Sequence, residues 1–498
     1  MPRITPPFFP IIYVRGYAMT KSEIEATVST PYMGFNLGAT KTRQDWTGKV
    51  NKHIFESPLV RLMKDYEYRD IYDGGKESTG PLSPRSIVIY RYYDQGDEDL
   101  GSGKALSVTE AAEGLGTLIE KIRDQVCGDD EEAAKVFRVY LVAHSMGGLV
   151  CRCFLQNPDV SSKKTKRLVD KVFTYATPHN GIEMAGMNVP EFLGMFDMNN
   201  FNRDKMAKYL ALPGKPKRVD DLNGTFDPER FFCLVGTNHK DYAVAAGLSR
   251  TLAGEMSDGL VKIENAAVKG TRRAFVYRSH SGPYGIVNSE EGYQNLTRFL
   301  FGDVLMDGTL EVENLPLPPA IQKAYDEKKE VRGSYYFEAT VSPRGAMDYK
   351  LTERRKETFS AVFRTYDELF HVDRIKGLEE PRMPVLFSVF LDTARITVGR
   401  TLVFGVELRV SSTDYEIDGF LFLDHSVPGE NLFQNTVVIR ATPNGNGWNI
   451  RYNLADDAWS DTRGLDAEVA SNGEEFIIPL QSAKGFKAKL RLQTRKWQ

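Results

Sequence analysis

Residues 139–150 read Val139-Tyr140-Leu141-Val142-Ala143-His144-Ser145-Met146-Gly147-Gly148-Leu149-Val150. An apolar strand pattern runs into a turn of small residues and then into a helix pattern, with Ser145 at the apex. A serine hydroxyl is a weak nucleophile unless it is held clear of the backbone and within reach of a base. A tight strand-to-helix turn achieves both, and it accepts only small residues two positions before and after the serine, here Ala143 and Gly147. The stretch therefore predicts a nucleophile elbow.

Four segments resemble the bacterial lipase and esterase branch of the α/β-hydrolases. The elbow contains the string Ala-His-Ser-Met-Gly-Gly, which some of these enzymes carry. Residues 8–17 resemble the early strand and the loop that shapes the oxyanion hole, and residues 174–181 resemble the Thr-Pro-His-x-Gly turn after the next strand. Residues 257–261 resemble the Asp-Gly-x-Val loop that carries the triad acid. The resemblance implies an α/β-hydrolase fold, and it does not concern the C-terminal part of the chain.

The pattern up to about Phe301 alternates short apolar strands with longer helical stretches. This alternation of strands and helices along the chain predicts an α/β fold with a mostly parallel sheet that is covered on both faces. In such sheets, ligand sites lie at the carboxyl ends of the strands, which is where the elbow would place Ser145.

The length of 498 residues exceeds that of a typical single domain. We predict a catalytic domain over residues 1–310 and a proline-rich, charged linker over 311–333. Period-two alternation with Gly, Asn, Asp and Pro between the strands predicts an antiparallel β-sandwich over 334–498.

An insertion is predicted over residues 183–228. Its stretch 191–212 is helical in spacing and rich in methionine and phenylalanine. Methionine is common at adaptable apolar surfaces, so a lid over the acyl site is one interpretation. A packed insertion is the other, and the sequence leaves both open.

The candidate triad is Ser145, Asp258 and His280. This order of serine, acid and histidine is the one that the family resemblance implies. His280 would accept the serine proton, and Asp258 would hold the ring tautomer. Among the seven histidines, His239 is a competing base because it also follows a predicted strand, and Asp241 is the reserve acid. His179 follows a strand next to the elbow, so it is a candidate to line the pocket.

The oxyanion of the tetrahedral intermediate needs two preorganised donors. The family resemblance implies the backbone N–H groups of Met146 and Tyr17, with Gly16 permitting a close turn. Arg15 departs from the family pattern, which has histidine before that glycine. A backbone donor can survive this change, but the hydrogen bonds that support the loop must differ.

Composition limits the class of partner. The net charge of −3 gives no reason to expect nucleic acid. The absence of a long apolar run predicts no transmembrane segment, and no signal peptide is apparent. Cytoplasmic location is the default expectation, with export by a route that needs no signal peptide left open. No motif indicates an organic cofactor or a metal, and the four cysteines lack paired spacing.

These features predict a carboxylic-ester hydrolase that acts on lipid esters, with a membrane or a lipid aggregate as its working surface. Triacylglycerol lipase, phospholipase and esterase for smaller acyl groups all stay open. An inositol deacylase or acyltransferase is also compatible. The alternative from another class is a lipid-binding or scaffolding protein that keeps the hydrolase fold without turnover.

Overall fold

The computed structural model describes residues 3–16, 28–44, 48–73, 76–184, 187–188, 201–241, 254–282, 284–327, 329, 331–344, 349–396, 400–417, 425–445, 447–455, 464–471 and 473–497. The chain divides into two compact units, Met1–Phe301 and Gly302–Gln498. Within the described ranges, no helix combines the length and the apolar character that crossing a membrane requires.

Seven strands form the central sheet in the described part of the first unit. They are β1 (Ile11–Val14), β2 (Arg69–Asp70), β3 (Ser86–Tyr90), β4 (Val139–His144), β5 (Val169–Tyr175), β6 (Phe231–Gly236) and β7 (Arg272–Val276). The order across the sheet is β7-β6-β5-β4-β1-β3-β2, and all neighbours run parallel. Every residue of β1, β4 and β6 is buried, as expected for strands covered on both faces. The predicted α/β class is confirmed, and the elbow strand β4 is the central strand.

The helices of this unit flank the sheet. They are α1 (Pro58–Tyr66), α2 (Val108–Cys127), α3 (Glu131–Val136), α4 (Gly147–Gln156), α5 (Lys163–Lys166), α6 (Arg203–Tyr209) and α7 (Glu290–Phe301). Helix α2 starts at a capping box in which Ser107 and Glu110 exchange side-chain and backbone hydrogen bonds. Its apolar side packs on α4, the helix that follows the elbow. Among the described residues of this unit, three antiparallel pairs lie outside the main sheet: Ala39–Gln44 with Val50–Phe55, Tyr72–Asp73 with Lys76–Glu77, and Glu183–Met184 with Met187–Asn188.

The second unit is an antiparallel β-sandwich, as predicted. Its main strands are β8 (Val304–Asn314), β9 (Ser334–Pro343), β10 (Thr352–Arg354), β11 (Val362–Thr365), β12 (Val385–Leu391), β13 (Leu402–Ser412), β14 (Asn431–Asn444), β15 (Gly447–Leu454), β16 (Leu465–Asp466), β17 (Glu468–Val469), β18 (Glu475–Gln481) and β19 (Lys487–Lys496). One sheet has the order β12-β8-β19-β18-β17, and the other has β10-β9-β13-β14-β15-β16 with β11 also on β9. Alternate residues of β13 are buried, and both sheets contribute to one apolar core. A smaller sheet joins Val331–Arg332, Tyr415–Ile417 and His425–Val427, and two short helices are α8 (Pro319–Asp326) and α9 (Tyr366–Phe370).

The predicted boundary and linker differ from the structure. The second unit begins at Gly302 rather than after residue 310, and β8 pairs with β12 and β19 inside a sheet. Residues 311–333 therefore include the end of a strand, helix α8 and a further short strand instead of a free linker. Proline caused the error, since Pro318 and Pro319 stand at the N-cap and first turn of α8, where proline is well tolerated.

The predicted insertion is partly described. Residues 185–186 and 189–200 lie outside the described residues, so the lid interpretation for that part stays a prediction. In the rest, α6 buries Met206, and Leu210 after it is also buried. The carbonyl of Tyr209 accepts from Cys153 Sγ (3.1 Å) and Asn157 Nδ2 (3.2 Å) at the end of α4. This described part is packed on α4 of the first unit.

Candidate active site

The elbow has a strained residue at its apex. Ser145 has a φ of 54°, in the left-handed region that residues with a side chain rarely occupy. Its N–H donates to the carbonyl of Tyr175 on β5 (3.0 Å), which ties the turn to the neighbouring strand. A Cβ on Gly147 would clash with the carbonyl oxygen of Val14, so glycine lets α4 begin directly against β1. The turn holds Ser145 at the carboxyl end of β4, and the strain is located at the candidate nucleophile.

His280 lies against this serine. It follows β7, is only 3% exposed, and its Nε2 is 3.0 Å from Ser145 Oγ. The backbone N–H of His280 donates to the carbonyl of Asp258 (3.0 Å), which fixes the loop on which the ring is carried. The distance suits a hydrogen bond between a nucleophile and its general base.

Asp258 completes the hydrogen-bond chain. Its Oδ2 is 3.0 Å from His280 Nδ1, and its Oδ1 accepts from the backbone N–H groups of Leu260 (3.0 Å) and Val261 (2.8 Å). The residue is 1% exposed, so these donors compensate a carboxylate charge that water does not reach. With the proton of the neutral ring on Nδ1 facing Asp258, Nε2 is left as the acceptor for the Ser145 hydroxyl.

The competing base and the reserve acid are placed elsewhere. Asp241 is exposed, and its Oδ2 accepts from Asn238 Nδ2 (2.6 Å). His239 is half-buried in the same segment. The structure therefore brings His280 and Asp258 to Ser145, and the two alternatives are not part of that hydrogen-bond chain.

His144 has a role that the sequence analysis missed. Its Nε2 donates to the carbonyl of His280 (2.9 Å), and the two rings lie 4.9 Å apart. Burial lowers the pKa of His144 well below its usual value, and the neighbouring His280 and Arg15 act in the same direction. The neutral ring thus links the elbow strand directly to the backbone of His280. Its position next to the serine was a signal, but only the fold shows its partner.

His179 does not line an open pocket. It is fully buried, and its Nε2 is 3.1 Å from Thr174 Oγ1. Its carbonyl accepts from Arg152 Nη1 (2.8 Å), and Arg152 Nη2 also donates to the carbonyls of Val219 (2.8 Å) and Asp221 (2.9 Å). Arg152 is fully buried on α4, and burial lowers its pKa to about 10, so it stays charged at neutral pH. A lone arginine in the apolar pattern of α4 was the available signal for this network.

The oxyanion donors are described in part. Met146 is the N-cap residue of α4, and N–H groups at the start of a helix have no intrahelical acceptor. Tyr17 lies outside the described residues, so its N–H stays a prediction. Gly16 is described, and a Cβ there would lie 2.9 Å from the Met146 nitrogen and would clash with Ser145 Cβ. The segment that precedes Tyr17 therefore lies directly against the elbow.

Known proteins resemble this chain at the level of the domain and the fold. A family model described as a PGAP1-like alpha/beta domain matches residues 89–207, which include the elbow. Phospholipase PlaB from Legionella pneumophila is 12% identical, with 84% of this chain and 89% of that chain covered and a TM-score of 0.34. The lin2722 gene product from Listeria innocua is 13% identical, with 59% and 94% covered and a TM-score of 0.29. None of the curated proteins compared matches the sequence.

The first unit has a parallel sheet, a serine elbow after its central strand, and a match to a hydrolase-type domain model. The first unit therefore has the α/β-hydrolase fold.

Proposed function

We propose that this protein is a serine carboxylic-ester hydrolase that acts on lipid esters. The observation that carries the proposal is the continuous hydrogen-bond chain from Asp258 through His280 to Ser145. It is buried at the carboxyl edge of the sheet, where ligands bind in folds of this class. A nucleophile, a base and an orienting acid in this order support acyl transfer.

The proposed reaction has two half-reactions on one triad. His280 Nε2 accepts the proton of Ser145 as the serine oxygen attacks the ester carbonyl, and Asp258 stabilises the imidazolium. The tetrahedral intermediate then expels the alcohol, which takes the proton from His280, and the acyl group remains on Ser145. Water repeats the sequence and releases the carboxylic acid. The backbone N–H groups of Met146 and Tyr17 are the proposed donors to the oxyanion.

Apolar side chains near the triad support a lipid ester as the substrate. Phe35, Leu37 and Val287 line a cavity that also includes His144 and Ser281, the direct neighbours of the proposed nucleophile and base. Leu37 is 58% exposed, and Ile54, in the hairpin that starts two residues later, is 78% exposed. Exposed apolar groups around a cavity are typical of surfaces that meet lipid or another protein.

The test uses a serine-directed fluorophosphonate and p-nitrophenyl butyrate. The probe should label wild type and Ser102→Ala, an exposed-serine control, but not Ser145→Ala. Hydrolysis should fall by roughly four to six orders of magnitude in Ser145→Ala, because the nucleophile is lost while the rest of the site remains. Labelling of Ser145→Ala at the wild-type rate would contradict the proposal. A folded wild type that neither reacts with the probe nor hydrolyses any ester would favour the non-catalytic lipid-binding alternative.

The substrate within this class is a finer question. Product analysis on phospholipids, triacylglycerols, short acyl esters and acylated inositol lipids distinguishes lipase, phospholipase, esterase and inositol deacylase. Transfer of the acyl group to an added alcohol instead of water would identify an acyltransferase. We propose that the β-sandwich directs the enzyme to lipid surfaces and takes no part in bond cleavage, since the proposed triad and Met146 lie in the first unit.

A further inference from the structure

A cavity of about 340 Å³ lies beside the proposed triad. His144 and Ser281 line it from the elbow strand and the base loop, and Arg15 lines it from the segment after β1. The segment that carries Arg15 lies against the nucleophile, because a Cβ on the next residue, Gly16, would clash with Ser145 Cβ. The volume is within the range of ~300–1,000 Å³ that is usual for small-ligand sites. The cavity is therefore placed to hold a part of the substrate next to the reacting ester.

Arg15 gives this cavity its charge. Among the described residues that line it there is no carboxylate, and His144 is neutral because burial lowers its pKa. The Arg15 carbonyl accepts from the Tyr92 hydroxyl (2.8 Å), which fixes the backbone that carries the guanidinium. The described lining thus presents one cation to a ligand in the cavity, and a guanidinium suits the oxygens of phosphate or carboxylate.

The opposite loop is shaped around this guanidinium. Arg15 Nη1 donates to the carbonyl of Met33, and a Cβ on Gly34 would clash with that same nitrogen. Met33 and Gly34 both have positive φ, 49° and 78°. A residue with a side chain is rarely held in this region, and such strain is concentrated at ligand sites. The backbone here positions Arg15 at the cavity wall.

Asn288 adds an acceptor. Its Nδ2 donates to the carbonyl of Gly34 (3.0 Å), so it supports the same loop from the other side. Its Oδ1 is buried and has no hydrogen-bond partner among the described residues. A buried acceptor without a donor is costly, and a ligand hydroxyl would satisfy it.

We infer that this cavity binds the headgroup of a glycerophospholipid, with Arg15 at the phosphate and Asn288 Oδ1 accepting from a headgroup hydroxyl. The inference rests on the proposed function and names the substrate class for it. A glycerophospholipid whose headgroup carries a hydroxyl, such as a phosphatidylglycerol, combines the three features that the site requires, which are an acyl ester for Ser145, an anion for Arg15 and a hydroxyl for Asn288. An uncharged acylglycerol brings no anion to Arg15.

The test compares two lipids with the same acyl chains, dioleoylphosphatidylglycerol and dioleoylglycerol, at equal mole fraction in uncharged detergent micelles. The measured quantity is the ratio of their kcat/KM values, so effects common to both substrates cancel. We expect wild type to prefer the anionic lipid and Arg15→Gln to lower the ratio by about tenfold or more, as for the loss of a charge-assisted hydrogen bond. Arg15→Lys should retain part of the preference.

Two further variants keep the test decisive. Asn288→Asp places a negative charge in the cavity from a different segment, and it should also lower the ratio if the ligand is anionic. Arg167→Gln, an exposed arginine on the segment after α5, should leave the ratio unchanged. Equal hydrolysis of the two lipids by wild type would overturn the inference. So would a wild-type ratio in both Arg15→Gln and Asn288→Asp.

Binding without turnover separates this inference from the proposed function. Glycerol 3-phosphate should raise the Tm of Ser145→Ala protein, and the shift should disappear in the Ser145→Ala, Arg15→Gln double variant. This outcome would support the cavity assignment even if wild type hydrolysed no ester. If inorganic phosphate gave the same Tm shift while Arg15→Gln kept the lipid ratio, the cavity would be a free-phosphate site and the headgroup assignment would be wrong.

Discussion

Asp258→Asn is the substitution that tests the proposed triad most sharply, because it changes charge and donor pattern with almost no change in shape. Oδ1 of Asp258 accepts two backbone N–H groups, so the amide oxygen of asparagine should keep that position. Its NH₂ group would then face His280 Nδ1, where Oδ2 now accepts. A donor there forces the ring proton onto Nε2, which faces Ser145. His280 could then no longer accept the serine proton.

The magnitude follows from this tautomer change. The equivalent exchange in a serine triad lowers kcat by about 10⁴, which corresponds to about 5.5 kcal/mol of transition-state stabilisation at 1.36 kcal/mol per factor of ten. The fold should survive, since the two backbone hydrogen bonds to Oδ1 are retained. We therefore expect a large loss of kcat with a Tm within a few degrees of wild type, on the order of 1 kcal/mol or less in stability.

The assay is steady-state hydrolysis of p-nitrophenyl butyrate, with the rate of fluorophosphonate labelling as a second readout. Both should fall together, because both need an activated Ser145. Asp241→Asn is the matched control, since Asp241 is exposed and contacts Asn238. A kcat of Asp258→Asn within tenfold of wild type would refute the reasoning, and a large loss in Asp241→Asn would move the acid role to that residue.

Three other predictions concern stability and the division into two units. Burial lowers the pKa of Lys171 to about 7, so between about pH 7 and 10.5 the unfolded chain binds more protons at this group than the folded chain does. Lys171 therefore makes the free energy of unfolding rise with pH in that window, by up to about 1.4 kcal/mol per pH unit. Urea titrations at several pH values should show this contribution in wild type and not in Lys171→Met. Arg152→Leu should lower the free energy of unfolding by about 3 kcal/mol or more, because it leaves the buried carbonyls of His179 and Val219 without this donor. The exposed control Arg167→Leu should stay within about 0.5 kcal/mol, and an equal effect of the two substitutions would contradict the buried network. Removal of Gly302–Gln498 should preserve turnover of a soluble ester and abolish any preference for bilayer lipid over soluble ester. A folded truncation that is inactive on soluble ester would show instead that the second unit completes the site.

Local patterns predicted most of the secondary structure. The apolar run at residues 385–391 is strand β12, and the amphipathic stretch at residues 109–126 lies within helix α2. Such elements depend on apolar periodicity and on caps within a few residues, which a sequence displays directly. The linker prediction failed at β8 because its apolar alternation is short and is followed by prolines. Pairing with β12 and β19 buries that strand, and such pairing is non-local.

The sequence by itself determined the elbow, the α/β class and the candidates Ser145, Asp258 and His280, because each belongs to a short motif whose residue types are dictated by backbone geometry or by chemistry. Only the tertiary structure decided which candidates meet. His280 is 135 positions from Ser145 in the chain, and β4 and β7 are not neighbours in the sheet, yet parallel strands bring their carboxyl ends to one edge. The same folding places His144 on the backbone of His280 and Arg15 in the cavity beside them. These contacts join residues far apart in sequence, so no local pattern could specify them.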